Sequence, residues 1–376
     1  MPAAVEVVGP YRGTSGYDRH TCEFVRHFVR LGTSVQLHQL EGWSRPLPDS
    51  VRERWFDELS KPVGAGVLLH FTMPTQARPR SGIRNVNYTM FEADRIPRSW
   101  AERAADHDCI VVPAESSRQA WIESGVPAER LRVSPLGVDS DFFAAPSPAL
   151  AIAAPDGRDV SSFRHRFLNI AALQPRKNHL GLLRCWIRAT RADDDAVLIL
   201  KTPREDAARL DTFRSDIDAM QRNLGRSLAD AAPVVFLPVT MVNEQLRALY
   251  RSATHYISLS MGEGWDLVMM EAIAAGLHVI APRHSGYTAY LRDDDAELIE
   301  ATLTPARFEG KLHAEDWLWF EGTQWWRPDE DAATDLIRRI VAGRTTPKPS
   351  PRERIARDYS WNVAARSLLE ILDEAV

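Results

Sequence analysis

Residues 254–276, THYISLSMGEGWDLVMMEAIAAG, constrain the fold more than any other stretch of this chain. From His255 to Ser260, β-branched and apolar residues alternate with small ones, as in a strand. From Leu267 to Ala275, apolar residues recur at helical spacing up to Gly276, a residue suited to ending a helix. The intervening loop carries Gly262 and Gly264, which let the backbone turn sharply. A strand feeding a helix through a glycine turn is the repeating unit of a parallel α/β sheet. The helix entered this way presents unpaired N–H groups and the positive end of its dipole, which together suit an anion. Two acids with seven residues between them, Glu263 on the loop and Glu271 about one turn inside the helix, add acceptors for hydroxyls. A diphosphate needs N–H donors and the sugars on either side of it need acceptors, so this segment offers both. The same pattern also serves as an ordinary sheet connection with no ligand.

The remaining chain alternates strand and helix in the same way. Strands are expected at residues 5–9, 34–40, 67–71, 85–91, 108–113 and 131–137, then at 166–173, 196–201, 234–239 and 278–282. At 376 residues the chain is too long for one comfortable core and suits two. Residues 1–145 are read as an N-terminal Rossmann-like domain and 146–164, rich in alanine, proline and serine, as a linker. Residues 165–350 form a second Rossmann-like domain and 351–376 a terminal helical segment.

Bulk composition excludes several classes. Apolar residues make up 44% and charged ones 26%, the profile of a globular chain, and no apolar run is long enough to span a bilayer. The N-terminus enters a strand directly instead of a basic, apolar leader, so a cytoplasmic protein is expected. A net charge of −5 argues against nucleic acid as a partner. The helix expected over 17–31 sets Arg19, Arg26 and Arg30 apart from Phe24, Phe28 and Leu31. That pattern permits membrane association, but a solvated charged face is favoured. Cys22, Cys109 and Cys185 form no CxxC pair, so neither disulfides nor a zinc site is expected. The aspartate runs at 193–195 and 293–295 are read as solvated turns, not metal ligands. Trp317, Trp319, Trp325 and Trp326 are read as packing residues in preference to a sugar platform.

GEGWDLVMMEAIAAGLHVIAP resembles the signature of the retaining glycosyltransferases of family four, with its E-x7-E motif followed by A-x-A-x-G-x-x-V-I-A. The resemblance extends through YTMFEADRIPRSW, the run from Val111 to Phe143 and the last eighteen residues. It implies the GT-B architecture, two facing Rossmann-like domains with a C-terminal helix that crosses back to the first. It also implies transfer of a hexose-type sugar from a nucleoside diphosphate, UDP or GDP, to a hydroxyl or amine of a small natural product or glycan. No cofactor or metal is implied. A sugar-nucleotide epimerase and a non-catalytic sugar-nucleotide-binding protein share the fold and stand as alternatives.

On this resemblance Glu263 holds the transferred sugar and Glu271 the ribose, so nucleoside diphosphate affinity should not depend on Glu263. Lys177, and Arg176 in place of the arginine that relatives carry at the position of Ala172, hold the phosphates together with the backbone at Gly264, Trp265, Asp266 and Leu267. The loop ending at Gly16 closes over the phosphates, and the loop after Val239 holds the nucleobase. Glu92 and His70, at strand ends of the first domain, are the further catalytic candidates. Phe91 stands where many relatives have a histidine, and Asp266 where they have glycine, which places a carboxylate near the phosphates unless it turns away to cap the helix.

Overall fold

The computed structural model describes residues 2–43, 46–48, 50–311 and 317–374. The chain divides into two compact units, Met1–Asp139 with Ala356–Val376, and Ser140–Ile355.

Six parallel strands build the first unit: β1 (Ala4–Gly9), β2 (Ser34–Gln39), β3 (Val67–Phe71), β4 (Arg84–Tyr88), β5 (Cys109–Val112) and β6 (Leu131–Val133), in the order β2-β1-β3-β4-β5-β6. The strand order reverses between β1 and β3, so their C-terminal ends frame a crevice. The helix Gly16–Arg30 starts on a capping box of Ser15 and Asp18 and buries Phe24, Val25 and Phe28. Its Arg26 pairs with Glu53 at 2.8 Å.

The helix Trp361–Asp373 lies against this first helix, with the Trp361 ring edge-on to Phe24 at 5.5 Å. Arg84 Nη1 donates to the carbonyls of Ile371 at 3.0 Å and Leu372 at 2.8 Å, satisfying the last turn. The C-terminal helix therefore belongs to the first unit. Its fit is tight at one point, where a Cβ on Gly137 would lie 2.5 Å from the Trp361 Cα and N.

In the second unit the strands are β7 (His165–Ile170), β8 (Ala196–Thr202), β9 (Val234–Pro238), β10 (His255–Ile257), β11 (His278–Pro282) and β12 (Glu297–Ile299), all parallel, in the order β12-β11-β10-β7-β8-β9. Taken from β9, this is the doubly wound nucleotide-binding order, and it reverses between β7 and β10. Phe167, Trp186, Ile187, Leu198, Ile257, Ile280 and Ile337 belong to the core that holds the helices to the sheet. An antiparallel hairpin, β13 (Ala301–Pro305) and β14 (Gln324–Pro328), follows.

Some expectations change. The stretch read as a linker is packed: Ile152, Ala154, Val160 and Phe163 are buried, Ala153 and Asp159 form a bridge, and Leu150 N donates to Ala248 O at 3.0 Å. Small residues there serve close packing, not freedom. The strand expected to reach Ser260 stops at Ile257, because Met261 N turns to donate to Arg176 O at 2.7 Å. Trp325 is buried and Trp326 stacks on His284, while Trp317 and Trp319 are exposed. Within the aspartate runs, Asp293 pairs with Arg283 and Asp295 with Arg354, and Asp194 accepts from Arg191 N. No helix among the described residues is long and apolar enough to cross a membrane.

Gly137→Ala should drive the added methyl into the backbone of Trp361 and destabilise the protein by about 1–3 kcal/mol, the usual cost of overpacking. Urea unfolding should register the loss, and hydrogen exchange should increase in Trp361–Asp373.

Candidate active site

The site grows from the C-terminal ends of β7 and β10. After β7 the chain makes a turn of 3-10 helix, Pro175–Lys177, and enters the helix His179–Ala189 through Asn178. Asn178 is left-handed (φ 55°). Its Oδ1 caps Gly181 N and its Nδ2 donates to Leu259 O at 3.0 Å, which ties this turn to the end of β10. Lys177 Nζ then donates to Glu263 Oε1 at 2.5 Å, and Arg176 Nη1 lies 3.2 Å from Glu263 Oε2 and donates to Gly262 O at 2.8 Å. Both cations therefore converge on one carboxylate whose side chain is 4% exposed. Burial acts to raise the Glu263 pKa, but Lys177 and Arg176 outweigh it and hold the group well below the usual carboxylate range.

The loop is held from its other side by the segment after β11. His284 Nε2 lies 2.7 Å from Ser260 O and can only donate to it, so in the neutral ring Nδ1 accepts from Ser285 Oγ at 2.7 Å. Burial lowers the His284 pKa to about 4, which keeps it neutral near pH 7. Ser285 Oγ accepts from Glu263 N at 3.2 Å and Gly286 N donates to Glu263 O at 3.0 Å. A Cβ on Gly286 would lie 2.8 Å from Gly264 O, so only glycine lets the two segments meet.

Asp266 turns its carboxylate back onto the helix it starts. It is the left-handed N-cap (φ 73°, ψ 78°) of the helix Leu267–Ala274, a conformation that glycine adopts most readily. Its carboxylate turns back to accept from Met269 N at 3.3 Å and Tyr287 OH at 2.8 Å, while burial and then the Glu263 charge raise its pKa. Among the described residues nothing in the chain takes the N–H groups of Leu267 and Val268, the first two of this helix. Glu271, at the fifth helical position, is buried and accepts from Tyr250 OH at 2.8 Å. Trp265 is buried with its carbonyl accepting from Tyr290 OH at 2.9 Å, and Gly264 lies beneath Gly286. Val239 is exposed, and its N–H donates to Thr202 O at 3.1 Å.

The three non-glycine residues with positive φ among those described, Asn178, Asp266 and Ser285, all stand here. Left-handed backbone gathered at one place is held there by the contacts described above.

The candidates of the first unit behave differently. Gly16 is exposed with open space around its Cβ position. Behind it, Asp18 accepts from Gly13 N at 2.7 Å and Ser15 N at 3.0 Å, so the loop already holds an anion of its own. Glu92 is half-buried after β4. His70 is buried, accepts from Arg78 N at 3.2 Å through Nε2 and lies edge-on to His107. Burial, then His107, lower its pKa to about 4, so near pH 7 the ring is neutral, with Nε2 already used as an acceptor.

The sequence reading missed His284, Ser285, Gly286 and Tyr287. Their position just after strand 278–282 was the available signal, because the carboxyl ends of strands flanking the point of reversal face the ligand.

The model of family 4 glycosyltransferases in conflict systems matches residues 203–368, which include the loop, Glu263, Glu271 and the His284 clamp. D-inositol 3-phosphate glycosyltransferases are similar: that of Acidothermus cellulolyticus is 28% identical over 260 residues, 66% of this chain and 54% of its own length, and that of Mycobacteroides abscessus is 26% identical over 385 residues, 98% and 74%. The chain is similar to glycosyltransferases of family 4. The first match thus spans about half of that curated relative. Two solved glycosyltransferase structures show that this chain has the GT-B fold. HepE of Anabaena, solved with UDP and glucose, is 11% identical with a TM-score of 0.63, covering 98% of this chain and 99% of that one. Sucrose-phosphate synthase of Thermosynechococcus elongatus is 14% identical with a TM-score of 0.67, covering 98% of each.

Asp266→Asn keeps a side-chain oxygen and tolerates left-handed backbone, so it should change stability by less than about 0.5 kcal/mol. Asp266→Ala loses both cap and backbone tolerance and should cost about 1–2 kcal/mol in urea unfolding.

Proposed function

We propose that this chain is a retaining glycosyltransferase that moves a hexose-type sugar from a nucleoside diphosphate, UDP or GDP, to a hydroxyl or amine of a small molecule or glycan. The observation that carries the reading is the convergence of Lys177, Arg176 and the start of the helix Leu267–Ala274 on the point where the second sheet reverses. Two cations and unpaired N–H groups at that place suit a diphosphate, as Glu263 and Glu271 suit the hydroxyls flanking it.

In the reaction the bond from the anomeric carbon to the distal phosphate oxygen breaks, and the acceptor atom bonds to that carbon on the same face. The acceptor's proton passes to the departing phosphate. Lys177, Arg176 and the N–H groups of Leu267 and Val268 stabilise the charge that builds on the diphosphate, which is electrostatic catalysis with no protein nucleophile and no metal. Glu263 holds the sugar, Glu271 the ribose, and Glu92 contacts the acceptor side. HepE, whose structure holds UDP and glucose, and relatives named for D-inositol 3-phosphate support donor and acceptor classes of this kind.

The test is a product assay with UDP- and GDP-sugars in EDTA. Transfer to an acceptor, with the anomeric configuration kept by NMR, is the expected result. Free sugar with no acceptor product would indicate an epimerase, and no turnover a binding protein. Independently, Lys177→Ala should weaken binding of the matching nucleoside diphosphate by about 1.5–3 kcal/mol in calorimetry, the range for a charged hydrogen bond.

A further inference from the structure

We infer that Glu263 is an internal stand-in for the donor's diphosphate, so that the sugar-holding carboxylate is released only when a diphosphate takes over Lys177 and Arg176. The inference rests on the functional reading above. Both cations face Glu263, one on each oxygen, at 2.5 and 3.2 Å. The three side chains are 15, 12 and 4% exposed, so water does little to screen them. Asp266 is a further buried carboxylate nearby, its pKa raised by burial and then by the Glu263 charge. Removing the Glu263 charge leaves both cations uncompensated in a dry place.

A buried carboxylate with a cation on each oxygen has part of its roughly four acceptor positions taken before any sugar hydroxyl arrives. A diphosphate with several negative charges can draw Lys177 and Arg176 away, and Glu263 then turns its acceptors to the sugar. The main chain need not move for this. Glu263 N and O remain fixed on Ser285 and Gly286, and only the ends of three side chains exchange partners. Sugar recognition is thereby conditional on the diphosphate: a free sugar, or a sugar on a leaving group with too little charge, meets an occupied carboxylate. The expectation that nucleoside diphosphate affinity is independent of Glu263 is replaced by competition between the two anions.

The test is calorimetry of UDP and GDP, and thermal shift with inorganic pyrophosphate, on the wild type, Glu263→Gln and Glu263→Asp. Glu263→Gln should bind the matching nucleoside diphosphate roughly tenfold more tightly than the wild type, as expected when one charged competitor is removed. It should melt lower without ligand and gain more from pyrophosphate. Glu263→Asp keeps the charge but shortens the reach, and should fall between the two. Should Glu263→Gln fold poorly, restoration of its folding by pyrophosphate supports the inference, and absence of restoration overturns it. Equal or weaker affinity in Glu263→Gln also overturns it. A wild type that binds neither UDP nor GDP instead sinks the functional reading itself.

Discussion

One ion pair, from Lys177 to Glu263, joins the two strand ends on which the second unit's site is built. The residues are 86 apart in sequence, yet their 2.5 Å contact fixes the turn after β7 against the loop after β10. A buried pair of this kind contributes little net stability, because both ions give up hydration. What it supplies is placement. Asn178, Arg176 and Met261 add three further hydrogen bonds across the same seam, and the clamp of His284, Ser285 and Gly286 closes it from the side of β11. With the backbone held from both sides, three residues can stay in left-handed conformations that would otherwise relax.

The two units use similar topology differently, and charge decides the difference. Each places a loop and a helix start beside the reversal of its sheet. In the first, Asp18 fills the turn and takes two of its N–H groups. In the second, Asp266 caps a single N–H further along and leaves Leu267 and Val268 open. Both helix starts carry a carboxylate of their own, but the second is also flanked by a lysine and an arginine, which draw a phosphate in.

Much of this was legible in the sequence wherever the signal was local. Short apolar runs gave β3 and β11 to the residue, and the glycine turn with its two acids marked the loop. The resemblance supplied the C-terminal helix's place, which no local pattern could. Contacts across long sequence separations were not legible. Nothing in PRHSGYTAYL announces that its serine and glycine will hold the backbone of Glu263, and nothing in PRKN shows that both cations will share one carboxylate. The 146–164 stretch misled for a different reason: alanine and proline serve a flexible tether and a closely packed strap equally well, and only the buried Ile152 and Phe163 decide between them.

The division of the chain also sets an order of assembly during synthesis. The second unit is one continuous stretch, Ser140–Ile355, and can close its sheet as soon as it leaves the ribosome. The first is split. Its helix Gly16–Arg30 emerges early, but the helix that covers Phe24 begins about two hundred residues after Asp139, where the N-terminal segment ends, roughly 10–40 s at ordinary elongation rates. Through that interval the N-terminal sheet waits with an apolar face uncovered, so the nascent first unit is where a holding chaperone would be needed, and the unit synthesised second is the one that finishes first.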